Sequence, residues 1–104
     1  MKRPDGLTPF HLAAQNGHLK ICKYLISTIK EKNPTSTSGL TPLHFAALNG
    51  RFKVCRLIIK NLRHKNPGDI NSWTPLHSAA KRGHLEVCRI ILSEIGKVVF
   101  QFKI

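Results

Sequence analysis

Apolar and polar positions alternate along this chain in bursts that match helices, separated by short polar breaks. Val54, Leu57, Ile58 and Leu62 recur at helical spacing and predict one amphipathic helix from about Phe52 to Leu62. A shorter helix is predicted just before it. Gly39-Leu40 is turn-like, and Thr41 suits the N-cap, where its hydroxyl accepts from an unpaired amide. Pro42 suits the first helical position, where the missing N–H removes no bond. His44 follows the cap by three residues, so its ring can reach back toward it as a glutamate does in a capping box. Ala46 and Ala47 are small enough for another helix to approach closely, and Asn49-Gly50 ends the segment because glycine accepts a left-handed backbone. Lys65-Asn66-Pro67-Gly68 breaks the second helix and begins a return loop. The first helix, about two turns long, is too short to stand alone and must be held by neighbours.

Those neighbours are copies of the same unit. Thr8, Thr41 and Thr74 each precede a proline and stand 33 residues apart. His11, His44 and His77 keep that period, as do Gly17, Gly50 and Gly83, and Cys22, Cys55 and Cys88. Asn33-Pro34 and Asn66-Pro67 mark the junctions. A fixed period of this length predicts stacked supersecondary units within one domain over residues 1–104. The units fall at about 5–37, 38–70 and 71–96, followed by an apolar tail at 97–104.

The segments Thr8-Pro9-Phe10-His11-Leu12-Ala13-Ala14, Thr41-Pro42-Leu43-His44-Phe45-Ala46-Ala47 and Thr74-Pro75-Leu76-His77-Ser78-Ala79-Ala80 resemble the ankyrin signature at its usual period. Gly17-His18-Leu19 and Gly83-His84-Leu85 resemble the start of that family's second helix. The likeness covers about residues 5–95. It implies an all-α ankyrin-repeat solenoid of stacked helix-turn-helix units joined by hairpin-like loops. Where such units usually close on Gly-Ala-Asp, this chain has Ile29-Lys30-Glu31-Lys32-Asn33-Pro34 and Leu62-Arg63-His64-Lys65-Asn66-Pro67, so a longer second helix and an altered loop are expected. Ser72-Trp73 replaces the Gly-Leu of the other units and predicts a differently shaped third hairpin. In the tail, Val98, Phe100, Phe102 and Ile104 alternate like a strand. With no dedicated cap at either end, two readings stand: the chain is a piece of a longer array, or the tail folds back over the last helix pair.

Composition adds a bias. Seventeen Lys and Arg against five Asp and Glu leave a net charge of +12, which favours polyanionic partners. The plainer account is solubility and a solvated face. No stretch approaches the about 20 apolar residues of a membrane helix. Met1-Lys2-Arg3-Pro4-Asp5-Gly6 leads into turn chemistry, so no signal peptide is expected. An odd number of cysteines fits free thiols in a reducing intracellular compartment, cytoplasmic or nuclear.

The repeated chemistry argues against catalysis. Equivalent residues in stacked units lie a helix packing distance of about 8–10 Å apart, so the histidines form a ladder rather than a metal cluster. The same spacing keeps the three cysteines from pairing and leaves them as core residues. Three identical Cys–His sets do not supply the distinct roles of an active site. No enzyme activity, cofactor or metal is expected.

Ankyrin-type proteins bind through hairpin tips and the exposed side of the first helix. On this chain the resemblance carries those roles to Leu7, Thr37, Ser38, Leu40, Ile70, Asn71 and Trp73 around the tips, and to Gln15, Asn16, Leu48, Asn49, Lys81 and Arg82 on the first helices. Apart from the pairs Leu7 and Leu40, and Asn16 and Asn49, these positions vary between units while the framework does not. The expected partner is a protein, bound by a monomer, with Trp73 and Leu48 as the most suggestive anchors. The alternative is nucleic acid or an anionic surface, met by a stripe of Lys20, Lys23, Lys53, Arg56 and Arg89 along the outer face of the second helices, broken by Glu86. The stripe itself holds no stacking aromatic, which counts against specific readout of single strands.

Overall fold

A computed structural model describes residues 3–31, 33–62 and 73–102, with side chains described as far as Glu94. Six helices follow one another: α1 (Pro9–Gln15), α2 (Leu19–Thr28), α3 (Pro42–Leu48), α4 (Phe52–Lys60), α5 (Pro75–Arg82) and α6 (Leu85–Phe102). No strand occurs among the described residues. Helices α1, α3 and α5 stack in one layer, and α2, α4 and α6 in a second behind it.

The sequence explains why each short helix starts where it does. Thr8, Thr41 and Thr74 are all N-caps in extended backbone, each followed by proline. The stack closes because the buried faces are small in front and branched behind. Ala14, Ala46, Ala47 and Ala79 are fully buried, letting the first helices approach closely. Cys22, Val54, Cys55, Ile58, Ile59, Val87 and Ile91 fill the space between the layers. Truncating one of the branched residues, such as Ile58→Ala, would cost about 2–5 kcal/mol.

The expected lengthening of the second helices does not occur. Helix α2 ends at Thr28 and α4 at Lys60. Ile29 leaves the helix in extended backbone and packs against the core, and Leu62 is buried beyond α4. Both apolar side chains turn inward instead of continuing along a solvated helix. The strand-like tail is also corrected, since α6 runs unbroken through Lys97 to Phe102 and does not fold back over the last pair. A lone strand there would leave its backbone groups without a ladder, whereas a continued helix satisfies them locally. Gly96 inside α6 costs only about 1 kcal/mol against that gain. The Lys65–Gly68 breaker and the Ser72 part of the third hairpin lie outside the described residues.

Candidate functional site

Each first helix carries the same cap. Thr8 N–H donates to His11 Nδ1 at 3.0 Å, while the Thr8 hydroxyl stands 2.9 Å from that nitrogen and accepts from His11 N–H at 3.4 Å. Thr41 with His44 and Thr74 with His77 repeat the arrangement. Because Nδ1 accepts, the proton of the neutral ring sits on Nε2. His11 Nε2 donates it to the Leu40 carbonyl at 2.9 Å, and His44 Nε2 to the Trp73 carbonyl at 2.7 Å. The ladder therefore joins each unit to the next. Burial lowers the pKa of His11, working against the Leu40 carbonyl and the distant charge of Asp5. Among the described residues no group of three or more His, Cys, Asp or Glu is placed to hold a metal ion.

The cysteines are free, with Cys22 and Cys55 buried and Cys88 half-buried. Burial pushes the thiol of Cys22 up to about 11 and that of Cys55 up to about 12. Both stay protonated and unreactive at neutral pH.

The hairpin between the first two units is held by Ser36, a residue missed by sequence reasoning. Its N–H donates to the Leu40 carbonyl at 2.8 Å and its hydroxyl accepts from Leu40 N–H at 3.1 Å. Gly39 turns the tip at φ 84°. Thr37 and Ser38 stand exposed there, while Leu40 and Leu7 are half-buried. Thr37 N–H donates to the Asp5 carbonyl at 3.0 Å, fixing the tip to the first unit. Ile70 and Asn71 lie outside the described residues.

Trp73 is exposed but tethered. Its indole N–H donates to the Ser78 hydroxyl at 2.8 Å, its rings lie 5.0 Å from the His77 ring, and Lys81 Nζ stands 5.9 Å above it. Ser78 occupies the position of Leu12 and Phe45 in the other units. The smaller residue supplies both the room and the acceptor for the indole. That swap was the legible signal for Ser78.

Along the first helices, Gln15, Asn16, Lys81 and Arg82 are exposed, and Leu48 and Asn49 half-buried. Asn16 and Asn49 are engaged as C-caps, their amides donating to Leu12 and Phe45 carbonyls at 3.0 and 2.9 Å. The Gln15 and Leu48 carbonyls accept from Arg51 Nε at 3.1 Å and His84 Nε2 at 2.9 Å, reaching over from the following unit. The bonds of Arg51 and His84 to the preceding unit were not foreseen, although the two residues stand 33 apart and His84 belongs to the motif at the start of the second helix.

Lys20, Lys23, Lys53, Arg56 and Arg89 are all exposed on α2, α4 and α6. Glu86 meets Arg89 at 3.4 Å, a pair in solvent worth at most about 1 kcal/mol. Tyr24, exposed one helical turn after Lys20, supplies an aromatic group beside the stripe.

Stacked helix pairs, a self-repeating cap and a solvated outer layer define a helical repeat solenoid. The family model for ankyrin repeats matches three copies, over residues 1–69 and 29–101, and the chain belongs to the ankyrin repeat family. No curated protein matches it. Ankyrin repeats are generally protein–protein interaction modules, and proteins built from them are typically non-catalytic scaffolds. Among the described residues no helix is long and apolar enough to cross a membrane.

Proposed function

We propose that this chain is a non-catalytic scaffold that binds a protein partner through its hairpin tips and the exposed side of its first helices. Three units, bounded near residues 38 and 71, present that face. The observation that carries the reading is the contrast between framework and surface. Caps, alanines and turn glycines repeat, whereas the exposed or half-exposed row Gln15, Leu48 and Lys81 changes polarity at every step. Trp73 offers a rigid aromatic surface whose N–H is already satisfied, so a partner can cover it without stranding a donor.

The test is capture of partners from a cell lysate by the purified chain, with and without nuclease, read by mass spectrometry. A discrete protein set that survives nuclease is expected. Measured with an isolated partner, Trp73→Ala should weaken binding by about 1 kcal/mol or more while leaving the helical spectrum unchanged. Unchanged affinity for both Trp73→Ala and Leu48→Ala would move the site off this face.

The exposed basic row on the second helices favours one other reading, a polyanionic partner held by Lys20, Lys23, Lys53, Arg56 and Arg89. Capture that collapses with nuclease or moderate salt would select it.

A further inference from the structure

Each first helix and its end present one short row of side chains on the same face. Leu12 is followed three and four residues on by Gln15 and Asn16. Phe45 stands in the same relation to Leu48 and Asn49, and Ser78 to Lys81 and Arg82. Gln15 and Asn16 are exposed, and Leu48 and Asn49 half-exposed, although another unit stands alongside each pair. The row therefore belongs to the side of the stack, and access to Lys81 and Arg82 does not depend on what adjoins the third unit.

Along this side the chemistry changes in one direction. The first unit offers the neutral amides of Gln15 and Asn16. The second offers half-buried Phe45 and Leu48, with the Phe45 ring held edge-on to His11, centroids 5.4 Å apart. In the third, the indole of Trp73 is bonded to Ser78 at 2.8 Å, at the position that Leu12 and Phe45 hold in the other units. Lys81 Nζ stands 5.9 Å over that indole, and Arg82 is exposed next to it in the chain. The ion pairs among the described residues are Arg3–Asp5 and Arg89–Glu86, so neither Lys81 nor Arg82 meets a carboxylate there. Glu86 and Glu94 stand on α6 and Glu31 beyond the end of α2. Asp69 lies outside the described residues.

We infer that the partner segment received here is acidic at one end and apolar at the other. An aliphatic or aromatic side chain seats against Phe45 and Leu48 of the second unit, and carboxylates meet Lys81 and Arg82 of the third. This occupant presupposes the protein-binding face proposed above and supplies the chemistry of its partner. Neighbouring helices pack about 8–10 Å apart, a distance that an extended segment covers in about three residues. The recognised pattern is therefore an apolar residue with Asp or Glu about three positions away. Lys81 is already drawn over the Trp73 ring, so it gives up less side-chain freedom when a carboxylate arrives. The apolar half separates this occupant from a nucleic-acid backbone, which would set phosphates against Phe45 and Leu48 and lose their solvation there.

Selection from a random linear peptide library displayed on phage tests it. Peptides enriched on the native chain should carry Asp or Glu about three positions from a Leu, Ile, Phe or Trp. On a chain carrying both Lys81→Glu and Arg82→Glu that acidic bias should vanish. Lys30→Glu with Lys60→Glu, an equal change of net charge at exposed positions off this face, should preserve it. If the first pair loses the helical spectrum, Lys81→Gln with Arg82→Gln takes its place. An enriched peptide, synthesised and titrated, should shift the emission of Trp73, the single tryptophan of the chain. It should bind roughly tenfold or more weakly once Lys81 and Arg82 are replaced. Enriched peptides that need Leu48 but show no acidic bias overturn the inference and leave the binding face standing. An acidic bias that survives loss of both Lys81 and Arg82 does the same. Enriched peptides indifferent to both Leu48→Ala and Trp73→Ala overturn the face and, with it, this occupant. A library from which no peptide is enriched also overturns it.

Discussion

At His11 a single proton decides whether two hydrogen bonds survive. Nδ1 accepts from Thr8 and Nε2 donates to Leu40, which only the neutral ring can do. Burial lowers its pKa from the ordinary 6.5. The unfolded chain therefore takes up this proton first as pH falls, and stability drops with it. The contribution is intact above about pH 6.5 and is lost progressively below it, down to the lower value of the folded ring. Urea unfolding at about pH 7.5 and about pH 5.5 should show the loss, and part of that difference should vanish in His11→Gln. An identical difference in the variant would place the titration elsewhere. Trp73 shows the limit of reading one residue at a time: an exposed anchor in the sequence, it is tied to Ser78 by a bond worth about 1 kcal/mol.

For the helices, beginnings were more legible than ends. The three caps stand where threonine, proline and histidine place them, because N-capping is decided within four residues. The ends depend on what lies opposite. Helix α5 runs one residue further than α1 and α3, through Arg82 where they have capping Asn16 and Asn49, and stops on Gly83. The turn glycines, alike in sequence, differ in surroundings. Gly50 and Gly83 have φ of 69° and 73°, but only Gly50 lies under another residue. Gly83→Ala should cost about 1–2 kcal/mol from backbone strain alone. Gly50→Ala should cost more, because His84 must also be displaced. Equal losses in thermal unfolding would mean that His84 moves aside freely.

For the whole molecule, the charge of +12 is spread over an elongated stack with few acidic residues to offset it. Two ion pairs form among the described residues, Arg3–Asp5 at 3.0 Å and Arg89–Glu86 at 3.4 Å, both in solvent. Self-repulsion should therefore dominate the surface electrostatics, and screening should stabilise the fold. The unfolding midpoint is expected to rise between about 20 mM and about 0.5 M sodium chloride. A falling midpoint would mean that attractive pairs outweigh the repulsion.

The sequence by itself determined the repeat, the helix pair in each unit, the caps and the buried alanines and cysteines of the first two units, because each follows from local spacing or from a period that can be counted. Only the tertiary structure decided which equivalent residues are equivalent in effect. Ile59 and Leu92 share a repeat position, yet one is buried and the other exposed, since burial depends on whether another unit stands alongside. Arg51 over Gly17, His84 over Gly50 and the indole of Trp73 on Ser78 are contacts whose side-chain directions no pattern of residue types specifies. The tail took helical form against its alternating pattern, because a strand needs a partner for its backbone and a helix supplies its own.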